Sequence, residues 1–198
     1  MILGSERNSK TPTGFRVAGM SYKKLEDVAK ELHPLLPKVP NSSNMRIDAW
    51  RTLEITLRKA GYEYRSEDQE TLEDTAAFTI PQNGLIVFRE DVYDGIETHN
   101  VFSRSTVIHE LSHIVLNHAV TLKRGPVGEH RFFEDSEWQA KALTAAIMMP
   151  LEACRSVSSA RDLAQLCGTS EQAATYRLER LIKDGLIHRA ATTNGLFD

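Results

Sequence analysis

Apolar residues recur with a helical period over most of the chain. From Ser21, the positions Tyr22, Leu25, Val28, Ala29, Leu32 and Leu35 return every three or four residues. This predicts an amphipathic helix with Ser21 as N-cap and an end near Pro34 and Pro37. After a Pro/Asn/Ser break at 40–44, the residues Ile47, Trp50, Leu53, Ile55 and Leu57 lead to Gly61 and predict a second helix. The pattern then changes. Residues 75–80 and 85–89 are rich in β-forming side chains and flank Pro81-Gln82-Asn83-Gly84, so an antiparallel pair joined by a tight turn is expected. Residues 91–102 are polar and show no period. Helical spacing resumes over 103–117 with Val107, Ile108, Leu111, Ile114, Val115 and Leu116, and again over 135–149, where Pro150 forces a stop. Residues 160–166 and 170–182 read as two short helices around Cys167-Gly168-Thr169. Residues 1–20 and 119–134, mixing Gly, Pro and charge, read as a flexible lead-in and a surface loop.

Composition narrows the class. A chain of 198 residues suits one compact domain with at most a small appendage, and 41% apolar with 26% charged residues is globular in character. The net charge of −3 argues against a protein that wraps nucleic acid over its whole surface. Two cysteines, Cys154 and Cys167, cannot make a secreted disulfide framework and suit a reducing compartment. The first residues lack the apolar run of a signal peptide, and no stretch approaches the ~18 apolar residues of a membrane span. A cytoplasmic location away from membranes is expected.

The chemistry concentrates on the helix expected over 103–117. His109 and His113 stand four residues apart, so they project from one helix face at a separation that a single ion can bridge. Glu110 lies about 100° further round, where its carboxylate can reach water on the metal without taking a ligand position. A His-Glu-x-x-His arises by chance in roughly 1–2% of chains with this many histidines, so the motif points to a metal site with Glu110 as general base. Zinc suits these ligands, and manganese or iron is compatible with them. A catalytic zinc takes three protein ligands. His118 lies about 180° from His109 if the helix continues, which turns it away and makes it a helix-end or surface residue. The acidic group Glu134, Asp135 and Glu137 opens the next helix and offers three candidate carboxylates. Glu137 is the best placed, three residues before the small Ala140, while all three also fit a charged helix N-terminus.

These residues resemble a known family. Phe102-Ser103-Arg104-Ser105-Thr106-Val107-Ile108-His109-Glu110-Leu111-Ser112-His113, then Glu137-Trp138-Gln139-Ala140 and Met148-Met149-Pro150, are similar to the ImmA/IrrE zinc metallopeptidases. Leu143 and Thr144 stand where that family more often has Phe-Ala. The resemblance implies that Glu137, in its Glu-x-x-Ala, is the third zinc ligand beside His109 and His113. It implies a zincin-like metallopeptidase core, and a protein substrate that is a transcriptional repressor of the helix-turn-helix type. Cleavage would then release stress, mobile-element or toxin–antitoxin genes.

The C-terminal pair around Gly168 is similar to a helix-turn-helix, with Arg177, Arg180 and Lys183 as candidate nucleic-acid contacts on its second helix. The overall expectation is an α+β protein: a lead-in at 1–20, a metallopeptidase domain at 21–150 with a small antiparallel sheet, and a helix-turn-helix-like segment at 151–198. The alternative function is a regulator that binds DNA or a repressor and holds a structural or inactive metal.

Overall fold

The computed structural model of the chain describes residues 13–118 and 130–188. Most of the expected lead-in and of the expected loop at 119–134 therefore lies outside the described residues, as does the end of the chain. Helix α1 (Tyr22–Leu32) starts where Ser21 accepts a hydrogen bond from the Lys24 amide, and a short 3-10 turn at His33–Leu35 follows. Helix α2 (Ala49–Arg51) is capped by Asp48 and widens into a π-helical stretch at Thr52–Leu57, within the expected second helix. Strand β1 (Glu63–Glu67), a single turn α3 (Gln69–Leu72), β2 (Ala77–Ile80) and β3 (Leu85–Arg89) come next. Helix α4 (Glu90–Glu97) occupies the stretch that the sequence pattern left without structure. Its fully buried apolar residues are Val92 and Ile96, one turn apart, too few to register as a period.

The sheet corrects one expectation. β2 and β3 form the expected antiparallel pair, with Thr79 opposite Ile86. β1 adds in parallel on the other side of β3, so the order is β1-β3-β2 and the sheet is mixed rather than antiparallel. The sequence of β1, Glu-Tyr-Arg-Ser-Glu, carries no apolar run to announce it. The link between β2 and β3 is a 3-10 turn at Pro81–Asn83 closed by Gly84 at φ +55°, where a Cβ would stand 2.5 Å from the Gly61 carbonyl oxygen.

Helix α5 (Val101–Val115) packs against α6 (Ser136–Met148), and α1 lies across α6. Leu25, Leu53, Leu57, Phe88, Ile96, Ile108, Leu143 and Ile147 form the centre of the main core, all almost fully buried. Each such side chain contributes about 1.5–3 kcal/mol relative to exposure. A second cluster gathers Ala153, Cys154, Leu163, Cys167, Leu178 and Leu181 from α7 (Leu151–Ser156), α8 (Ala160–Cys167) and α9 (Glu171–Lys183). Buried Arg104 on α5 joins the two halves. It donates to the carbonyls of Ile47 at 2.9 Å and Cys167 at 3.4 Å, and to that of Gly168, which ends α8 in the left-handed conformation.

Candidate metal centre and its cleft

Helix α5 begins at Asn100, whose side chain accepts from the amides of Phe102 and Ser103. Small side chains let α6 approach it closely. Ser112 meets Thr144 at 3.1 Å between hydroxyls, one turn from fully buried Ala140. This approach carries Glu137, in the first turn of α6, to the two histidines of α5. His109 Nε2 and His113 Nε2 are 3.1 Å apart, and the Glu137 carboxylate reaches them at 3.3 and 3.2 Å. Three donors each about 2.0–2.1 Å from one tetrahedral ion stand roughly 3.3–3.4 Å apart, so the triangle fits zinc without rearrangement. Among the described residues, His109, His113 and Glu137 form the one group of three or more whose ligand atoms converge in this way. Burial works to raise the Glu137 carboxyl, but hydrogen bonds from His109 and His113 outweigh it and hold the group well below the usual carboxylate range. Glu134 instead accepts from the Arg131 amide, and Asp135 caps α6.

Glu110 is buried beside this triangle. Its Oε2 accepts a 2.6 Å hydrogen bond from the Thr79 hydroxyl on β2. Burial pushes the Glu110 carboxyl above the usual range, opposed by the Thr79 hydrogen bond and by His109 and His113. The result is a carboxyl held by the sheet at the edge of the candidate metal centre.

Residues 102–179 match the family model described as the IrrE N-terminal-like domain, a peptidase family. Over that segment the chain is similar to the IrrE N-terminal-like domain. No curated protein and no solved structure matches the chain. That family implies metallopeptidase chemistry, and the matched segment takes in the candidate metal centre and runs past residue 150 into the C-terminal pair.

His118 differs from the sequence expectation. The helix does not continue: Asn117 takes the left-handed conformation at φ +51°, and the His118 amide bonds back to the His113 carbonyl at 3.0 Å. This reversal tucks His118 under His113, with Nδ1 atoms 3.0 Å apart, and leaves it 7% exposed. It is neither a ligand of the triangle nor a surface residue. The signal available was Asn117 just after the last apolar position of the helix.

The described part of the expected lead-in borders the candidate metal centre. Arg16 pairs with Asp135 as an isolated bridge, Gly14 N donates to Asp135 Oδ2 at 2.8 Å, and Phe15 N donates to Ser136 Oγ at 2.9 Å. Gly14 is required there: an added Cβ would lie 2.6 Å from the Glu137 amide nitrogen. Asp135 also meets His130 Nε2 at 3.0 Å, so one buried carboxylate holds the strap, the helix start and His130. Polar composition alone concealed this segment, because its backbone amides donate to side chains 121 positions away.

A cleft of about 890 Å³ opens over His109, Glu110, His113 and Glu137. β2 supplies Ala77, Phe78 and Thr79 to one side, and Val101 and Phe102 stand exposed at the rim. Thr169 and Ser170 from the turn between α8 and α9, and Ala173 from the first turn of α9, also line it. Of the candidate nucleic-acid contacts, Arg177 is withdrawn into the interior. Its Nη2 donates to Glu26 Oε2 at 2.8 Å, Nη1 bonds the other oxygen, and Nε bonds the Met149 carbonyl. Arg180 stacks on Tyr22 with 3.7 Å to the ring centroid and pairs with Asp184 at 2.7 Å, while Lys183 is exposed. The three do not form one basic face. Sequence spacing put them on one helix but could not reveal that α1 covers it.

Proposed function

We propose that this protein is a zinc-dependent endopeptidase, acting in the cytoplasm on a helix-turn-helix transcriptional repressor to release stress, mobile-element or toxin–antitoxin genes. The observation that carries the reading is the convergence of His109, His113 and Glu137 within 3.1–3.3 Å beside the buried carboxyl of Glu110. A site needed only for structure has no use for a base there. The family match supports metallopeptidase chemistry, and the repressor comes from the resemblance to ImmA/IrrE.

Zinc held by His109, His113 and Glu137 would act as a Lewis acid that acidifies water and polarises the scissile carbonyl. Glu110 accepts the proton of the attacking water. Thr79 occupies Oε2, so Oε1 carries that proton and hands it to the leaving amine. β2 is the edge strand of the sheet and lines the cleft, so an extended substrate aligned along it brings a peptide carbonyl beside Glu110. The exposed Phe78, Val101 and Phe102 offer apolar contact to side chains flanking the cut.

The test uses purified protein and the repressor encoded beside its gene, with and without chelator. Cleavage that chelator abolishes is the expected result. Glu110→Gln should retain zinc and lose cleavage; undiminished proteolysis by that variant would end the mechanism.

A further inference from the structure

We propose that His118 and Gln139 form a directed hydrogen-bond chain that fixes the tautomer and ring orientation of His113, tying the metal centre to the N-terminal strap. The inference rests on the metal-centre reading above and concerns residues outside the ligand triangle.

With a metal on the triangle, the direction of every bond in the chain is determined. His113 presents Nε2 to the triangle, so that nitrogen must be bare to bind a metal, and the one proton of the neutral ring sits on Nδ1. That proton points to His118 Nδ1 at 3.0 Å, which must then be the acceptor. The proton of His118 is consequently on Nε2, 3.1 Å from Gln139 Oε1. The amide of Gln139 is set the same way round by its other end, where Nε2 donates at 2.8 Å to both the Ala18 and the Phe133 carbonyls. A flipped amide would put oxygen against two carbonyl oxygens, and a charged His118 would put N–H against N–H.

The chain is enclosed, with Gln139 1% and His118 7% exposed, so water does not compete for these bonds. Outer partners of this kind orient a ligand ring and raise its basicity. The usual partner is a carboxylate or a carbonyl; here it is a neutral imidazole, which leaves the charge of the centre unchanged. The strap thereby belongs to the metal site: the Ala18 carbonyl begins the chain that His113 ends.

Two measurements on the full-length chain decide the matter. Long-range proton–nitrogen correlation spectra of the zinc-loaded, 15N-labelled protein report the tautomer of each imidazole. The expected result is His113 protonated on Nδ1 and His118 protonated on Nε2 alone. A charged His118, or one protonated on Nδ1, overturns the proposal. Zinc affinity by competition with a chromophoric chelator is the second measurement. His118→Phe, which offers no acceptor, should bind zinc about 10–100-fold more weakly, and His118→Gln, which keeps an acceptor and a donor, should stay within about threefold of the unaltered chain. Equal affinity in all three overturns the proposal. So does a loss shared by both variants that tracks an equal loss of thermal stability in the metal-free proteins, since that marks a packing role. A zinc-loaded chain that cleaves nothing ends the peptidase reading and leaves these results standing on their own.

Discussion

Thr79 and Glu110 show how much of the proposed chemistry hangs on single contacts. Removing the Thr79 hydroxyl in Thr79→Val takes away an influence that lowers the Glu110 carboxyl, while burial continues to raise it. A base must be ionised to act, so the acidic limb of the pH–rate profile should move to higher pH and kcat/KM should fall about tenfold, with zinc affinity unchanged. An unmoved acidic limb would mean that Thr79 only packs. The thiols give a second check. Burial pushes Cys167 up to about 12 against a lowering from Arg104, and Cys154 is equally hidden. Neither should react with a thiol reagent at pH 8 until the chain unfolds, and prompt labelling of the native protein would contradict the buried second cluster. At this scale the sequence was most informative: a four-residue spacing on a helix translates directly into two nitrogens 3.1 Å apart. Gln139 and Thr79 were not legible, because their roles depend on which elements meet, and no local pattern encodes that.

Elements with long apolar stripes were legible to within a residue or two. The expected helix over 135–149 is α6 at Ser136–Met148, with Asp135 as its cap and Pro150 as its stop. Short or polar elements were not. β1 exists because β3 offers it a backbone ladder, and α4 because two side chains find the core; neither cause is visible in a window of sequence. The end of α5 is a case between the two. Asn117 is a recognisable stop, but its consequence, the return of His118, follows from one left-handed residue. Asn117→Val should therefore cost about 1–2 kcal/mol in denaturant unfolding, whereas Asn117→Gly should be nearly neutral. Equal stabilities for the two variants would show that the turn does not need a left-handed residue.

Across the whole molecule, the C-terminal pair is bound to the rest by buried charge. Arg177 and Glu26 are withdrawn from solvent together, at 3% and 10% side-chain exposure. Removing one partner strands the other: Arg177→Met should lose about 3–5 kcal/mol, and adding Glu26→Leu should restore most of it. If the double variant is no better than the single one, the pair is not what couples α9 to α1. The metal site is the most dispersed feature of all, assembled from the strap at 14–20, the edge strand, the α5 end and the α6 start. Closing the 121-residue span between Gly14 and Asp135 costs about 4 kcal/mol in chain entropy, and the strap that closes it holds Asp135 and Ser136 next to Glu137. The ligand triangle should thus be completed after the folding transition state. Zinc is then expected to leave the refolding rate unchanged and to slow unfolding, a split that stopped-flow folding with and without the ion can read. Refolding hastened by zinc would place the triangle in the nucleus instead. A chain still emerging from the ribosome would accordingly hold its metal weakly until the strap has docked, and proteolytic competence would come at the end of maturation.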